Sequence, residues 1–267
     1  MRRAKQMTNT LNTKERFTLV EKLKYVIILN VKITSLQNPI VKHLVTLRKE
    51  KSYRHEHKTV LISGKKVIEE LKNLAFKTLI IEEGNTFPYK AEQVFFVTKE
   101  ILQKITGLAS PEPIAAEIAL PKEGSLNGKK RVLALDGISD PGNMGTLLRS
   151  ALALGWEGVF ITNNSVDPFN DKSMRAAKGA CFHLPIIQGS WEDLCALIEK
   201  NKFHAYVADL NGENFKTIKV SSPFILILGN ESHGVTKNAF TSVSIPMHPS
   251  MESLNVASAG AILMACL

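Results

Sequence analysis

Short apolar runs that alternate with helical segments constrain the second half of the chain most strongly. Four of these runs have the pattern of buried strands: Val132–Leu135, Gly158–Ile161, Ala205–Ala208 and Phe224–Leu228. Helical patterns lie between them, such as 144–154, which ends at Gly155, and 191–200, which Ser190 opens as an N-cap. Buried strands separated by helices predict a parallel sheet covered by helices on both faces.

The first half predicts a smaller α/β unit. Its strand-like runs are Thr59–Ser63, Thr78–Ile81 and Gln93–Thr98, and its helical runs are Val41–Leu47, Lys65–Leu74 and Lys99–Thr106. The stretch 121–130 has the Pro, Gly and mixed charges of a linker. We therefore expect an N-terminal extension at 1–33, mobile for much of its length, a first domain at 34–120, and a second domain at 131–267.

The excess of positive over negative charge lies entirely in the first half of the chain. Residues 1–130 contain 24 Lys and Arg against 13 Asp and Glu, whereas residues 131–267 contain 10 against 12. A polyanion such as RNA is one explanation, because each neutralised phosphate releases counterions. A solvated lysine-rich surface explains the charge equally well. If RNA is the partner, the first domain binds it and is joined flexibly to the second.

Several classes of protein are excluded by what the sequence lacks. There is no phosphate-binding GxxxxGK[ST] loop, so a P-loop nucleotide-binding protein is not indicated. There is also no GxGxxG after a strand, so neither a dinucleotide-binding fold nor a Rossmann-type methyltransferase is indicated. No apolar run is long enough to span a bilayer, and Lys32 interrupts the apolar stretch after the basic start, so we expect a cytoplasmic protein. His55 and His57 are spaced poorly for a shared metal ion, and we predict no metal site. The three cysteines are expected to be small buried hydrophobic residues.

Three segments combine polar residues with glycines where a predicted strand ends. They are residues 135–151, residues 226–235, which contain two glycines beside the polar run Asn230–His233, and residues 245–261, where a helix opens near Ser253 and Asn255. The ends of parallel strands favour ligand sites. Each segment alone is weak evidence for a ligand site, since an ordinary turn between a strand and a helix would have the same residues.

Together, in this order and near these separations, the three segments resemble the three motifs of SpoU-type RNA ribose 2′-O-methyltransferases of the SPOUT superfamily. Residues 167–170 and 175–180 are also similar to that family. Residues 33–39 with Lys42 resemble the start of the L30e-like substrate domain that precedes many such catalytic domains, although Ser63 stands where relatives often have Glu. The resemblance covers about residues 33–265.

The resemblance implies an α/β domain with a deep trefoil knot, S-adenosylmethionine as cofactor, and a homodimer formed through the knot. The early end of the chain at Leu267 implies a short last helix in that dimer. By position, the polar active-site set is Asn143, Arg149, Glu231, Ser253 and Asn255. The cofactor loops are represented by Gly229, Ile245 and Leu254, which the resemblance places in largely backbone contact with the cofactor.

Arg149 is the residue on which the predicted chemistry depends. Its neighbours Leu147, Leu148 and Ala151 are apolar, so we expect a fixed, inward-facing side chain. The family picture makes this arginine the base that activates the 2′-hydroxyl, but arginine releases its proton reluctantly, and anchoring of a substrate phosphate is the alternative. Asn143 and Asn255 are expected to orient the ribose and Arg149.

The predicted substrate is RNA, with no role for DNA or a membrane. The substrate domain favours ribosomal RNA over tRNA, by analogy alone. The alternatives are a tRNA ribose 2′-O-methyltransferase and a non-catalytic RNA-binding protein that retains the knotted fold. A measurement of cofactor binding distinguishes the enzyme hypothesis from that of a non-catalytic protein.

Overall fold

A computed structural model describes residues 31–229 and 240–267. Most of the predicted N-terminal extension and Glu231 lie outside these ranges. The first domain consists of β1 (Val31–Ile33), α1 (Pro39–Lys49), α2 (Lys51–His57), β2 (Thr59–Ser63), α3 (Lys65–Glu70), β3 (Phe76–Glu82), β4 (Ala91–Val97), α4 (Lys99–Thr106) and β5 (Ile114–Ala119).

The five strands of the first domain form a mixed sheet in the order β1-β4-β3-β5-β2. Strand β5 runs antiparallel to both neighbours, while β1, β4 and β3 are mutually parallel. Within the described residues the sheet begins at Val31, three residues before the boundary expected at residue 34, because a three-residue edge strand pairs with Phe95–Val97. Such a strand is too short to show an alternating pattern in the sequence.

The second domain consists of β6 (Arg131–Leu135), α5 (Pro141–Ala153), β7 (Gly158–Thr162), α6 (Asp171–Ala177), a 3-10 turn (Ala180–Phe182), β8 (Ile186–Gly189), α7 (Trp191–Asn201), β9 (His204–Asn214), β10 (Phe224–Leu228), β11 (Thr241–Ser244) and α8 (Val256–Cys266). Its six strands form one sheet in the order β11-β9-β10-β6-β7-β8. All five pairs of neighbouring strands are parallel, which confirms the predicted parallel sheet.

Helices cover both faces of this parallel sheet. On one face, α5 and α8 pack on the side chains of Leu133, Leu135 and Leu228. On the other, α7 packs on Val132 and Ile225. Within the described ranges, each helix falls short of the length and apolarity needed to cross a bilayer.

The cysteines and the segment 121–130 differ from expectation. Cys181 is buried, and this burial raises the pKa of its thiol to about 12, but Cys195 is half-buried and Cys266 is exposed.

The segment 121–130 has a linker composition, yet Leu126 is buried against the α7 face of the second sheet, and Gly124 donates to the Ile186 carbonyl at 3.0 Å. One apolar residue is enough to attach a polar stretch to the domain that follows it.

The two domains share one hydrophobic core, which contradicts the expected flexible joint. Val67 and Leu71 of the first domain belong to the same buried cluster as Met174 and Ala177 of the second. Charge balance along the sequence carries no information about such packing. The flexible joint was therefore a wrong inference from composition.

A buried ion pair crosses the same seam between the domains. The Arg54 guanidinium contacts the Asp167 carboxylate, and their side chains are only 3% and 8% exposed. Arg54 also donates to the Leu47 carbonyl at 2.8 Å, and Asp167 accepts from the Phe169 amide at 3.0 Å. The pair thus links the end of α1 to the loop before α6.

Candidate active site

The loop after β6 is held in place from the neighbouring strand. Thr162, the last residue of β7, donates to the buried Asp136 carboxylate at 2.9 Å and accepts from the Gly137 amide at 3.1 Å. Ser165 accepts from the Ile138 amide at 3.1 Å. These contacts fix the path of the first motif before its helix begins. Thr162 and Ser165 were not predicted as site residues, because the only signal in the sequence was that polar residues follow a buried strand.

Helix α5 begins with a capped turn that presents Asn143. Asp140 is the N-cap and accepts from the Asn143 amide at 2.8 Å. Pro141 occupies the first helical position, where its missing N–H costs nothing. The Asn143 amide and then the Lys172 ammonium, 3.2 Å away, hold the pKa of the Asp140 carboxyl below its usual value. The acceptor therefore stays ionised at neutral pH.

The start of α8 meets the start of α5. Asn255 is the N-cap of α8 and accepts from the Ala257 and Ser258 amides at 2.9 and 3.3 Å. Its side-chain nitrogen donates to Asn143 Oδ1 at 3.1 Å. Two predicted site residues separated by 112 positions are thus in direct contact. The first and third motifs form one polar surface.

Close packing holds the two helices in this arrangement. A Cβ placed on Gly260 would lie 2.4 Å from Leu147 Cδ2 and 2.6 Å from Leu228 Cδ1. The Trp156 indole also donates to the Met264 carbonyl at 3.0 Å in the interior. The small residues of α8 therefore serve packing within the domain, where Ala257 and Gly260 are buried.

The predicted cofactor positions lie at one edge of the parallel sheet. Gly229 follows β10 and Ile245 follows β11, and both strands run parallel to β9 between them. Both residues are half-buried, as is Leu254, which precedes the α8 N-cap. Ser253 is exposed beside it. Glu231 lies outside the described residues.

Arg149 is exposed, so the expected inward orientation is wrong. Successive residues of a helix are about 100° apart, and Met144, Leu147, Leu148 and Ala151 form the buried stripe of α5. Arg149 falls roughly opposite this stripe. Apolar neighbours in sequence therefore do not predict the face on which a helical residue lies.

The Arg149 side chain lines a cleft of about 620 Å³ between the domains. Helix α3 of the first domain supplies Lys66 and Glu70, while Lys178 and His183 come from the segment after α6. Within the described part of the chain, Arg149 makes no hydrogen bond or ion pair. Among the described residues, therefore, nothing competes with an anionic ligand for the guanidinium, and the cleft is mainly basic.

Comparison with protein families gives two matches that divide the chain. The SpoU rRNA Methylase family matches residues 130–265. The MRM3-like substrate binding domain matches residues 38–116. The first match includes the edge of the sheet and the contact between Asn143 and Asn255, and the second includes the α3 wall of the cleft.

Individual proteins agree with these matches. The chain is 32% identical over 242 residues to the 23S rRNA (guanosine(2553)-2′-O)-methyltransferase RlmP of Bacillus subtilis, with 87% of this chain and 97% of the relative covered. It is 25% identical to the mitochondrial rRNA methyltransferase 3 of Mus musculus, covering 83% and 70%. The crystal structure of an AdoMet-bound rRNA methyltransferase from Sinorhizobium meliloti superposes with a TM-score of 0.75 at 27% identity, covering 87% and 95%.

Proposed function

Because the chain belongs to the SpoU rRNA methylase family, as its three motifs predicted, we propose that it methylates a ribose 2′-hydroxyl of ribosomal RNA using S-adenosylmethionine. The observation that carries the proposal is the hydrogen bond from Asn255 to Asn143, which joins the first and third motifs at the carboxyl edge of a parallel sheet. The retained polar set argues against a non-catalytic RNA-binding protein. The trefoil knot belongs to this proposal as a property of the family.

The residues at the sheet edge fit the proposed cofactor. Gly229 permits close approach to its backbone, and Ile245 and Leu254 offer half-buried aliphatic surface. An adenine ring is well held by such apolar contacts together with backbone groups. None of the three is cationic, so they do not repel a sulfonium. When bound, S-adenosylmethionine supplies an electrophilic methyl group.

We assign the polar residues to the positioning of the acceptor ribose. Asn143 and Asn255 orient the sugar, with Ser253 beside them, and Glu231 is included in the same polar active-site set by resemblance alone. The exposure of Arg149 to a basic cleft favours the anchoring of an RNA phosphate over proton removal. Held this way, the 2′-hydroxyl loses little further freedom on reaching the transition state.

The charge distribution supports RNA as the substrate. The first domain carries the basic excess, and its α3 contributes Lys66 to the same cleft as Arg149. The shared apolar core and the buried ion pair join this domain to the one that carries the sheet edge. Ribosomal RNA is favoured over tRNA because the named relatives above act on, or are named for, ribosomal RNA.

We further propose a homodimer in the cytoplasm. Ile262 on α8 and Leu154, directly after α5, are exposed aliphatic side chains, and the two helices pack together. A second copy of the chain that covers these side chains would remove their apolar surface from water. Sedimentation at micromolar concentration is expected to show a dimer, and a monomer there contradicts the proposal.

The methyl transfer is tested with tritium-labelled S-adenosylmethionine and either ribosomal RNA or tRNA as acceptor. A 2′-O-methyl group prevents alkaline cleavage at its nucleotide, so we expect the label in alkali-stable dinucleotides from ribosomal RNA. Label in mononucleotides indicates base methylation and overturns the proposal. Label from tRNA alone replaces the substrate while preserving the chemistry.

A further inference from the structure

Three aromatic rings cluster where α1 packs against α2, in the first domain and apart from the sheet edge. Tyr53 and His57, four residues apart on α2, have ring centroids 4.1 Å apart. His43 of α1 meets His57 edge-on at 5.1 Å and lies 5.6 Å from Tyr53. His57 is exposed and the other two rings are partly so. We call His43, Tyr53 and His57 the ring cluster.

A buried carboxylate fixes the ring cluster from below. Glu117 of β5 is 2% exposed, and His43 Nε2 lies 3.2 Å from its Oε1. Tyr53 Oη lies 3.0 Å from His43 Nδ1. The neutral histidine with its hydrogen on Nε2 satisfies both contacts, because it donates to Glu117 and accepts from Tyr53. The chain of hydrogen bonds sets the ring orientations.

Glu117 is held by more than His43. Thr59 and Thr78 donate to its two oxygens at 2.8 Å each, and the Lys77 ammonium lies 3.0 Å from Oε1. Burying an ionised carboxylate inside a sheet is costly unless it is paired and hydrogen-bonded. The network therefore holds two groups, the His43 ring and the Lys77 ammonium, at fixed positions near the surface.

The surroundings of the ring cluster are basic. Residues 40–58 contain six Lys and Arg against two Glu. Lys58 directly follows His57, and Lys77 shares the Glu117 carboxylate. The same α2 contacts the second domain through Arg54 and Lys51, whose ammonium lies 3.4 Å from Gln188 Oε1. An RNA strand bound here therefore passes close to the seam.

We propose that the ring cluster is a stacking site for an unpaired base of the RNA substrate, outside the site of methyl transfer. Aromatic side chains bind single-stranded RNA by stacking on splayed bases, while neighbouring cations contact the phosphates. The exposed His57 ring stacks on the base, and Lys58 and Lys77 lie beside the backbone. This inference deepens the proposed function, because it takes RNA as the ligand.

The test measures binding of two probes to the full-length protein at fixed pH and salt. The probes are a ten-nucleotide oligoadenylate and a blunt RNA duplex of equal length. His57→Ala is expected to weaken oligoadenylate binding about tenfold, the typical loss of one stacked base, and to leave duplex binding unchanged. His57→Phe keeps a ring without a titratable nitrogen and is expected to retain wild-type affinity.

His55→Ala is the matched control, since His55 is an exposed histidine on the same helix with no ring contact among the described residues. Equal affinities for the two alanine variants overturn the proposal, as does an equal loss for both probes or a wild-type protein that does not bind oligoadenylate. Calorimetry with S-adenosylmethionine reports on the proposed function separately. Absent cofactor binding with an intact oligoadenylate difference rejects the enzyme and retains the stacking site.

Discussion

The two domains use buried polar groups in different ways. The first domain buries two charged side chains. Arg54 pairs with the Asp167 carboxylate of the second domain, and Glu117 pairs with the Lys77 ammonium near the surface. Among the described residues the second domain buries Asp136, at the end of a strand, and the Asp167 carboxylate, which is the partner of Arg54 across the seam. Its other polar site residues lie partly or fully exposed at the edge of an apolar sheet.

The difference indicates a division of labour between stability and chemistry. Charges inside the first domain fix its surface and its orientation on the second domain, so their loss is expected to reduce stability. Exposed side chains at the sheet edge and cleft contribute little to folding, so their loss is expected to reduce turnover. Each prediction below tests one side of this comparison.

The largest effect is expected at Arg149. Because this side chain has no partner among the described residues, Arg149→Ala is expected to leave the unfolding temperature unchanged. Loss of a group that positions the acceptor is expected to cut turnover about 10²- to 10³-fold, with cofactor affinity nearly unchanged. Single-turnover kinetics and calorimetry measure the two quantities.

Arg149→Lys separates the two possible roles of this residue. A phosphate anchor needs the planar fork, so lysine is expected to fail at every pH and to weaken RNA binding. A base role instead predicts partial activity that rises with pH. Lys200→Ala, on the exposed end of α7, is the control for general loss of positive charge. Wild-type turnover in Arg149→Ala removes both roles.

The second effect is expected at the seam between the domains. Asp167→Ala leaves the Arg54 guanidinium buried without its carboxylate, which is expected to cost about 3 to 5 kcal/mol of unfolding free energy. Denaturant titration measures this cost. The double variant Arg54→Met with Asp167→Leu removes both charges and is expected to recover most of the stability. If Asp167→Ala unfolds like the wild type, the ion pair does not fix the domain orientation.

Sequence patterns predicted the catalytic half of the fold better than the first half. Its strands are continuous apolar runs. Predicted and observed bounds agree in both halves, for Thr59–Ser63, Lys99–Thr106 and Phe224–Leu228, but two elements of the first half were not predicted from their own residues. Strand β5 was missed because the run IAAEIA contains residues with low strand propensity, and only pairing on both sides makes it a strand. Helix α2 was missed because its residues KSYRHEH show no apolar period.

The order of the three motifs predicted which residues form the candidate site, but it did not predict how those residues contact one another. Local patterns place Asn143 and Asn255 at helix starts, but their contact across 112 positions depends on how α8 packs on α5. The ion pair at the seam between the domains also depends on tertiary structure, so local sequence patterns did not predict it. Asp167 belongs to a segment singled out in the sequence, whereas its partner Arg54 lies in a helix that had not been predicted.

A smaller effect is expected where the two motifs meet. Asn255→Ser keeps an N-cap acceptor for α8 but is too short to reach Asn143, so stability is expected to change by under about 1 kcal/mol. Turnover is expected to fall about tenfold through looser positioning of the acceptor. Asn211→Ala, an exposed asparagine on β9, is the control. Equal turnover in both variants means that the contact does not serve catalysis.

The smallest effect concerns the pH dependence of the first domain. Burial raises the pKa of Glu117, but the hydrogen bonds from Lys77, Thr59, Thr78 and His43 outweigh it, so the pKa lies below the ordinary value of 4.5. A carboxyl whose pKa is lowered by folding stabilises the folded state above its unfolded pKa. That contribution disappears as the pH falls through the folded pKa.

Glu117→Gln is therefore expected to cost about 1 to 2 kcal/mol at pH 7 and progressively less as the pH falls below 4.5. Urea titrations of both proteins between pH 7 and pH 3 measure the narrowing difference. Glu92→Gln, an exposed residue of β4, is the control and is expected to change little across this range. A constant difference between wild type and Glu117→Gln would mean that Glu117 acts through packing alone. The charge in the interior of the first domain would then play no part in fixing His43 and Lys77.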